Sequence, residues 1–449
     1  MGVVAVPPAG VTAAGPGLRI RPGRLRLWAA GLFLIGLAPI VAAPFYGFHD
    51  WPAFWSAGSV VGTADLVDGS RLLAWQTAHG LPLAVFPYLP AMAFVFWPFA
   101  QLPLAAGFWI WAALMIVCAL LAARIAARVF GLSVPMAVGS TLAWAPVTGA
   151  IVIGQNTPLG LLLAMVAIDG LVAARSRAPS GVAGAGPTRA AAPTGIAGRP
   201  WASARTEVAG PTWVAARTGV ARTWVAAGIG AGLLLYKPTL GLPLAGLLVL
   251  RGRLRALAIV AVAAAAWWAA GVLAAGGDLG WPATWVHTIL GYVADDAAVN
   301  ADKAVSLPGL IARLSVPGLV PLLAGAVLIV AAIPRLIRAP IREAAAGACL
   351  VGVAVSPHAW GYDAVLLLPF IWWAVGGGLA EPWRTRLVVA AFVLAPFWLV
   401  SRQTVVSALA VVVLGAAIIW ICGLWRTAAP DATADAAPDA QLDAPPALA

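Results

Sequence analysis

Long apolar segments recur along this chain from Leu27 to Trp425, and clusters of arginine separate them. Several of these segments reach the ~20 residues that a helix needs to cross ~30 Å of hydrocarbon. Of the 449 residues, 62% are hydrophobic and 10% are charged, whereas soluble domains carry about 25% charged residues. The sequence therefore predicts an all-α integral membrane protein and excludes an ordinary soluble enzyme.

The net charge of +11 is interpreted as a topology signal, because short cytoplasmic loops retain Lys and Arg during insertion. A nucleic-acid partner is not expected. The arginine clusters assigned to the cytoplasm lie at 19–26, 124 and 128, 175–222, 251–255, 335–342, 384–386 and 426. The segments assigned to the opposite side are 47–87, 276–306, 356–362 and 401–403.

The apolar pattern predicts about 11 to 13 membrane-spanning helices. The proposed spans are 27–46, 103–123, 133–153, 158–174, 224–237, 238–250, 255–275, 307–333, 344–356, 361–378, 387–401 and 404–425. Residues 87–101 are apolar, but they are short and rich in proline. If they cross the membrane, Arg124 and Arg128 face outward; if they are re-entrant, the charge rule holds. Both alternatives stay open.

The chain divides into three predicted regions. Residues 1–26 form a basic cytoplasmic N-terminus, residues 27–425 a transmembrane domain, and residues 426–449 a disordered acidic cytoplasmic tail. The first apolar run is interpreted as a retained span and not as a cleaved signal. Within the transmembrane domain, residues 47–87 form an extracytoplasmic loop, and the Ala-, Gly- and Pro-rich stretch 178–222 is a flexible cytoplasmic loop.

The three cysteines, Cys118, Cys349 and Cys422, lie in apolar segments without the spacing of a disulfide framework or a metal site. We expect them to be core packing residues.

An ionisable residue beside a membrane span is a candidate functional group, because its burial is costly. Asp50 follows the first apolar run and precedes Trp51, Phe54 and Trp55. One interpretation is an interfacial loop with its aromatic belt. The other is a carboxylate that acts as a general base in an aromatic-walled sugar site. The residue types alone do not decide between them.

Several short motifs occur in a characteristic order. They contain Asp50, Trp55, Ala57 and Gly58; Tyr88, Pro90 and the 98–103 stretch; Gly154, Gln155 and Asn156; Lys237 and Pro238; and Ser356, Pro357 and Tyr362. In this order and spacing, roughly residues 45–380 resemble glycosyltransferase family 87, once catalogued as a domain of unknown function.

The resemblance implies a polyprenyl-phosphate-mannose-dependent mannosyltransferase with a multi-span C-type glycosyltransferase fold. In that family the catalytic Asp lies in the first extracytoplasmic loop, so the resemblance implies that Asp50 is catalytic. The implied partners are a polyprenyl-phosphate sugar donor, a lipid or glycan acceptor and membrane lipids. The expected location is the inner membrane of a bacterium, with the active site extracytoplasmic. Trp55 stands where the family commonly has Tyr, and 178–222 resembles an insertion.

A lipid-phosphate donor already carries an activated leaving group, so no nucleotide site is required. The sequence has no GxGxxG or DxD motif, which is consistent with such a donor. One carboxylate that deprotonates an acceptor hydroxyl is then sufficient for an inverting transfer.

The remaining candidates are substrate-binding residues. Lys237 lies at a predicted hairpin apex and is a candidate for the donor phosphate, against a snorkelling lysine at a span end. Arg71 is a second phosphate candidate, against a solvated loop charge. Gln155 and Asn156 suit sugar hydroxyls, against helix capping.

His358 and Asp363 flank Trp360 and Tyr362, and they are candidates to line the acceptor site or to assist Asp50, against a structural histidine at a span mouth. Tyr362 is also taken as a substrate-binding residue. Trp55 and Tyr88 belong to the motifs that carry the resemblance, and they are also taken as substrate-binding residues.

No protein-only metal site and no cofactor are expected, because His49, His79 and His287 show no zinc-type pattern with carboxylates. A divalent ion that bridges the donor phosphate stays an alternative. Carboxylates on the same predicted side could serve it, namely Asp65, Asp68, Asp295 and Asp296.

A transporter or a lipid-linked-sugar flippase is the main alternative function, because broken helices such as the one at Lys237 and Pro238 also mark transport sites. The outer loop at 47–87 has no counterpart in the second half of the chain, and this asymmetry favours an enzyme. A ligase that moves a whole lipid-linked oligosaccharide is a further alternative.

Overall fold

The computed structural model describes residues 49–176, 223–300, 304–313, 316, 319–379, 383–387, 390–392 and 405–424. Within these ranges the regular structure is helical, apart from one isolated antiparallel bridge between Ala304 and Trp360. The predicted all-α class is confirmed. The predicted span 27–46, the loop 178–222, most of the predicted span 387–401 and the tail 426–449 lie outside the described residues.

The helices discussed below are numbered in chain order. They are α1 Trp51–Ser59, α2 Gly69–Ala78, α3 Ala93–Ala100, α4 Leu104–Phe130, α5 Val134–Ala143, α6 Ala145–Ile153, α7 Thr157–Ser176, α8 Thr223–Tyr236, α9 Pro238–Leu250, α10 Leu254–Ala274, α11 Trp281–Asn300, α12 Leu307–Arg313, α13 Val320–Arg338, α14 Ile341–Val355, α15 Leu368–Trp373 and α16 Val405–Ile421.

Among the described residues, four helices are long and apolar enough to cross a membrane: α4, α7, α10 and α13. The pair α5 and α6 makes a fifth candidate, bent by 60°. The bend falls where Pro146 lacks the N–H that would bond to the carbonyl four residues earlier. The chain is therefore a polytopic membrane protein. The total of about 11 to 13 spans stays a prediction, because two proposed spans lie wholly or mostly outside the described residues.

Two proposed spans differ from the structure. The single span predicted at 307–333 is wrong, because α12 ends at Arg313 and a separate helix, α13, begins at Val320. The span predicted at 361–378 is not one α-helix. It begins as a 3₁₀ turn at Gly361–Leu367, continues as α15 and ends in a π turn at Ala374–Gly378. By contrast, the helix predicted at 238–250 has the bounds of α9.

The segment 87–101 folds as a short 3₁₀ turn, Pro90–Met92, that leads into α3. Together they rise about 16 Å, roughly half of the hydrocarbon thickness. The α3 helix packs on α1, where the Phe54 and Phe96 rings stack with centroids 4.7 Å apart. A Cβ at Gly58 would lie 2.7 Å from the Phe96 carbonyl carbon. The short length favours the alternative in which this segment does not cross the membrane.

The helix α4 connects the two ends of the bundle, since its 27 residues extend over about 40 Å. At its start, the Trp51 indole donates a hydrogen bond to the Leu104 carbonyl at 2.9 Å. At its end, Phe130 packs against Gly376. The helices α1 to α3 therefore lie at one end, and Arg124 and Arg128 lie towards the other.

The cysteine prediction is partly confirmed. Cys118 and Cys349 are buried, but Cys422 is exposed. Cys422 follows the last residue of α16, where the helix leaves the packed core.

Candidate active site

A cavity of about 380 Å³ opens at the α1 end of the bundle, within the ~300–1,000 Å³ range of small-molecule sites. Its lining includes the polar and aromatic side chains of Asp50, Tyr88, Gln155, Tyr292, Trp360 and Tyr362. We call it the Asp50 cavity. It brings together four of the predicted catalytic and substrate-binding residues, namely Asp50, Tyr88, Gln155 and Tyr362.

Asp50 is the N-cap residue of α1, and its side chain is half-buried. Its backbone N–H donates to the Ile153 carbonyl at 3.1 Å, which ties the start of α1 to the end of α6. The next residue, Trp51, is fully buried, and its ring stacks on Trp111 at 6.0 Å. The aromatic residues that follow Asp50 therefore anchor the helix, and the carboxylate lines the cavity.

Gln155 reaches Asp50 through a tight turn at Gly154. Gly154 has φ +83° and ends α6, and its carbonyl accepts a hydrogen bond from the Trp111 indole at 3.0 Å. A Cβ at Gly154 would lie 2.9 Å from the Trp51 Cβ. Glycine is thus required both by the left-handed conformation and by the close approach of α1.

The Gln155 amide bonds to two protein groups that line the cavity. Its Nε2 donates to Asp50 Oδ2 at 2.6 Å, and its Oε1 accepts from the Tyr88 hydroxyl at 2.8 Å. Burial raises the pKa of Tyr88 well above its usual value, so the phenol stays protonated and donates. The predicted role in binding sugar hydroxyls stays a prediction, but the structure adds an orienting contact to Asp50.

Lys237 and Asp363 form a buried ion pair behind the cavity wall. The Lys237 Nζ lies 2.5 Å from Asp363 Oδ1, with side-chain exposures of 9% and 0%. It also lies 5.6 Å from the Tyr88 ring centroid and 5.2 Å from that of Tyr362. The predicted helix break at Lys237 is confirmed, whereas the snorkelling alternative is wrong, because the ammonium is buried and paired.

The other carboxylate oxygen of Asp363 accepts from the Trp360 backbone N–H at 3.1 Å. This bond fixes the turn that brings Trp360 and Tyr362 to the cavity. Both oxygens of Asp363 therefore bond to the protein.

Asn156 is fully buried and does not line the Asp50 cavity. Its backbone and side-chain oxygens accept from the Tyr236 hydroxyl at 3.2 and 3.4 Å. Within the described part of the chain, its Nδ2 has no hydrogen-bond partner, and neither has Thr157 Oγ1 or Ser356 Oγ.

Trp55, Arg71 and His358 lie outside the lining of the cavity. The Trp55 indole donates to the Leu102 carbonyl at 3.0 Å, so it ties α1 to the end of the α3 segment. The Arg71 side chain is 61% exposed and lies 3.7 Å from Asp65 and 3.4 Å from Asp68, as the solvated-charge alternative predicts. The His358 ring packs against Tyr292 and Trp360 at 5.4 and 5.0 Å, next to the cavity.

Asp68 caps the N-terminus of α2, where its carboxylate accepts from the backbone N–H groups of Ser70 and Arg71. A hydrogen bond from the Ser70 hydroxyl at 2.6 Å is the main cause that holds the pKa of Asp68 below its usual value.

Three further residues shape the cavity, and the sequence did not predict them as site residues. Tyr292 lies on α11, in a segment predicted only as an outer loop, and Trp360 was named only as a neighbour of His358. Gln76 is fully buried. Its Nε2 donates to Ser56 Oγ and to the Ala84 carbonyl, both at 2.8 Å, and so holds the 83–85 wall. In the sequence, Gln76 could have been singled out as the one amide side chain in the mostly apolar helix α2.

Among the described residues, no three His, Cys, Asp or Glu side chains come together as a metal site. The side chains of Asp295 and Asp296 lie outside the described set. A divalent ion at the donor phosphate stays a prediction.

Residues 86–197 match the family model described as Glycosyltransferase family 87. No curated protein and no solved structure gives a significant match. The matched range contains Tyr88 and Gln155, two of the polar residues of the Asp50 cavity. This match agrees with the family indicated by the ordered motifs, and it shows that residues 86–197 are similar to glycosyltransferase family 87.

Proposed function

We propose that this protein is a glycosyltransferase that moves a hexose, with mannose as the expected sugar, from a polyprenyl-phosphate donor to a lipid or glycan acceptor. The reaction takes place on the extracytoplasmic face of the membrane and inverts the anomeric configuration. The observation that carries the proposal is the Asp50 carboxylate, which lines a cavity of suitable size and is oriented by Gln155 at 2.6 Å.

In the proposed reaction, an acceptor hydroxyl oxygen attacks the anomeric carbon of the donor sugar. The bond from that carbon to the phosphate oxygen breaks on the opposite face, and the polyprenyl phosphate leaves with the electron pair. Asp50 takes the hydroxyl proton as general base, a role that typically contributes ~10²–10⁴-fold. Positioning of both substrates supplies much of the remaining acceleration.

The aromatic side of the cavity supports a sugar substrate. The rings of Trp360 and Tyr362 lie 5.6 Å apart in an edge-to-face arrangement. The rings of Tyr88 and Tyr362 both lie close to the Lys237 ammonium, with centroids at 5.6 and 5.2 Å. Aromatic faces provide apolar contact area for the C–H faces of a pyranose, while the Tyr hydroxyls and the Gln155 amide offer polar contacts.

An apolar groove supports a lipid-linked donor. It has a volume of about 500 Å³ and lies between α9, α13 and α14, where Leu242, Leu247, Ile333 and Val351 contribute to its walls. Its lining includes Thr239 and Ser356. Thr239 is two residues after Lys237 in the chain, and Ser356 is four residues before Trp360. A hydrocarbon chain in this groove would therefore have one end near the turns that carry Lys237 and Trp360.

Lys237 is proposed to favour the donor phosphate through its charge. Its ammonium lies behind Tyr88 and Tyr362, within 6 Å of both ring centroids. The paired Asp363 carboxylate offsets much of the positive charge of Lys237. The second part of the proposal is therefore that Lys237 also holds the two tyrosine rings in place.

The test uses the purified full-length chain in lipid nanodiscs with radiolabelled polyprenyl-phosphate mannose and a membrane-lipid extract. Wild-type protein should form a labelled product, and Asp50→Asn should lose at least ~10²-fold of the rate with an unchanged melting temperature. The matched control is Asp278→Asn, because Asp278 is exposed and does not line the cavity. Near-normal turnover in Asp50→Asn contradicts the catalytic role, and no transfer from any polyprenyl-phosphate sugar favours a transporter.

A further inference from the structure

A second cavity, of about 480 Å³, lies at the opposite end of the bundle from Asp50. Arg335 and Arg338 of α13 line it together with Glu343 in the first turn of α14. The helix α14 separates the two sites, because it runs for about 22 Å from Ile341 to Val355, just before the turn at the Asp50 cavity. We call this second site the arginine cavity.

Its polar framework is built around Glu343, which is 4% exposed. The Arg335 guanidinium donates to Glu343 Oε1 through Nε at 2.9 Å and through Nη2 at 2.6 Å. The Trp420 indole donates to the same oxygen at 3.2 Å. These contacts neutralise Arg335 and hold its guanidinium in one orientation.

Arg338 is left with an uncompensated charge. It is exposed at the edge of the cavity and forms no ion pair within the part of the chain that the structure describes. Two arginines and one glutamate therefore give the arginine cavity a formal excess of one positive charge. The planar fork of an Arg guanidinium suits the oxygens of a phosphate group.

The position of the cavity along α13 indicates the kind of ligand. The 19 residues of α13 extend over about 28 Å, close to the hydrocarbon thickness. Exposed apolar side chains follow this helix, with Leu323, Val327 and Val330 at 61%, 69% and 65% exposure. Arg335 and Arg338 lie in its last turn, at the level where lipid headgroups meet the hydrocarbon.

We propose that the arginine cavity binds the headgroup of an anionic phospholipid, with its phosphodiester on Arg338 and its acyl chains along the exposed side of α13. Retention of arginines at a span end during insertion explains a basic residue there. It does not explain a cavity in which a buried glutamate and a tryptophan fix a second arginine. Free phosphate has the same charged group but nothing to place on the apolar side of α13, so we assign the site to a lipid.

The test compares melting temperatures of the purified full-length protein in detergent micelles doped with phosphatidylglycerol or with phosphatidylcholine. A ligand that binds only the folded protein raises its melting temperature, and the stabilisation grows with the logarithm of the ligand concentration relative to the Kd. Phosphatidylglycerol should stabilise the wild-type protein, whereas phosphatidylcholine and the same concentration of inorganic phosphate should not. Native mass spectrometry should show retained phosphatidylglycerol molecules.

Two variants provide the matched comparison. Arg338→Ala should weaken the apparent affinity for phosphatidylglycerol about 10-fold, roughly the loss of one charge-assisted contact. Arg342→Ala removes the same charge from an exposed residue on the next helix, outside the cavity lining, and should bind like the wild type. Equal losses in both variants, equal stabilisation by the two lipids, or full stabilisation by inorganic phosphate would each overturn the proposal.

Discussion

The Lys237 ammonium and the Asp363 carboxylate lie 2.5 Å apart although 126 positions separate them in the chain. Both side chains are buried, and the pair joins the start of α9 to the turn that carries Trp360 and Tyr362. A buried charge that loses its partner is strongly destabilising, whereas removal of both charges is often nearly neutral. The contribution of the pair to stability can therefore be tested by comparing a single variant with the double variant.

We expect Lys237→Ala to lower the free energy of unfolding by about 3–5 kcal/mol, because it leaves the Asp363 carboxylate buried without its counterion. The double variant Lys237→Met, Asp363→Leu should recover most of that stability. Thermal unfolding in detergent measures both. A single variant as stable as the wild type would show that the pair contributes little.

Activity of the folded fraction of Lys237→Ala tests its role towards the donor. We expect the KM for the polyprenyl-phosphate sugar to rise far more than the KM for the acceptor, because Lys237 is proposed to act on the donor phosphate. Steady-state kinetics with each substrate varied in turn provides the measurement. An equal rise in both KM values would indicate a purely structural role.

Gln155→Leu should lower kcat by at least ~10-fold with little change in either KM, because it removes the hydrogen bond that orients Asp50. The Tyr88 hydroxyl also loses its acceptor. Gln101→Leu is the matched control, since Gln101 is exposed and its amide donates to the Trp97 carbonyl at 3.3 Å, outside the cavity lining. If both variants keep the wild-type kcat, the Gln155 contact does not serve the reaction.

Gly154→Ala should cost about 1–3 kcal/mol of stability and most of the activity. The added methyl group would meet the Trp51 Cβ at 2.9 Å, in a backbone conformation with φ +83°. Gly131→Ala separates the two effects, because Gly131 has φ +70° but nothing within 4 Å of a Cβ. We expect Gly131→Ala to be destabilised by about 1 kcal/mol and to keep its activity.

Asp68→Ala should lower stability by about 1 kcal/mol at neutral pH, the usual effect of losing an N-cap residue. Since hydrogen bonds hold the folded pKa of Asp68 below its unfolded value of about 3.8, its contribution is present above that pH. The contribution is lost as the pH falls through the lower folded pKa. The difference in melting temperature between wild type and variant should therefore shrink on acidification from pH 7 to pH 3. A difference that grew instead would contradict the assignment of the cap.

Helix positions could be predicted where a local property sets them. The span predicted at 158–174 lies within α7, and α9 has its predicted bounds, because a helix in lipid needs a continuous apolar run that the residues themselves display. The span predicted at 307–333 was wrong, because an apolar run also continues through a break between two helices.

The candidate site was predictable as a set of residues but not as an arrangement. Asp50 and Gln155 were both named from the sequence, yet their hydrogen bond joins positions 105 apart and depends on the end of α6 meeting the start of α1. Tyr292 could not be found, because its place at the cavity follows from the packing of α11 and not from its neighbours in the chain.

By itself, the sequence determined the membrane class, the positions of several long apolar helices and the ordered motifs of the family, because these follow from composition and short-range spacing. The tertiary structure alone decided that Gln155 orients Asp50, that Lys237 pairs with Asp363, and that Trp55 and Arg71 stay outside the cavity. These outcomes depend on which helix ends meet, and a side chain's partners are set by that packing.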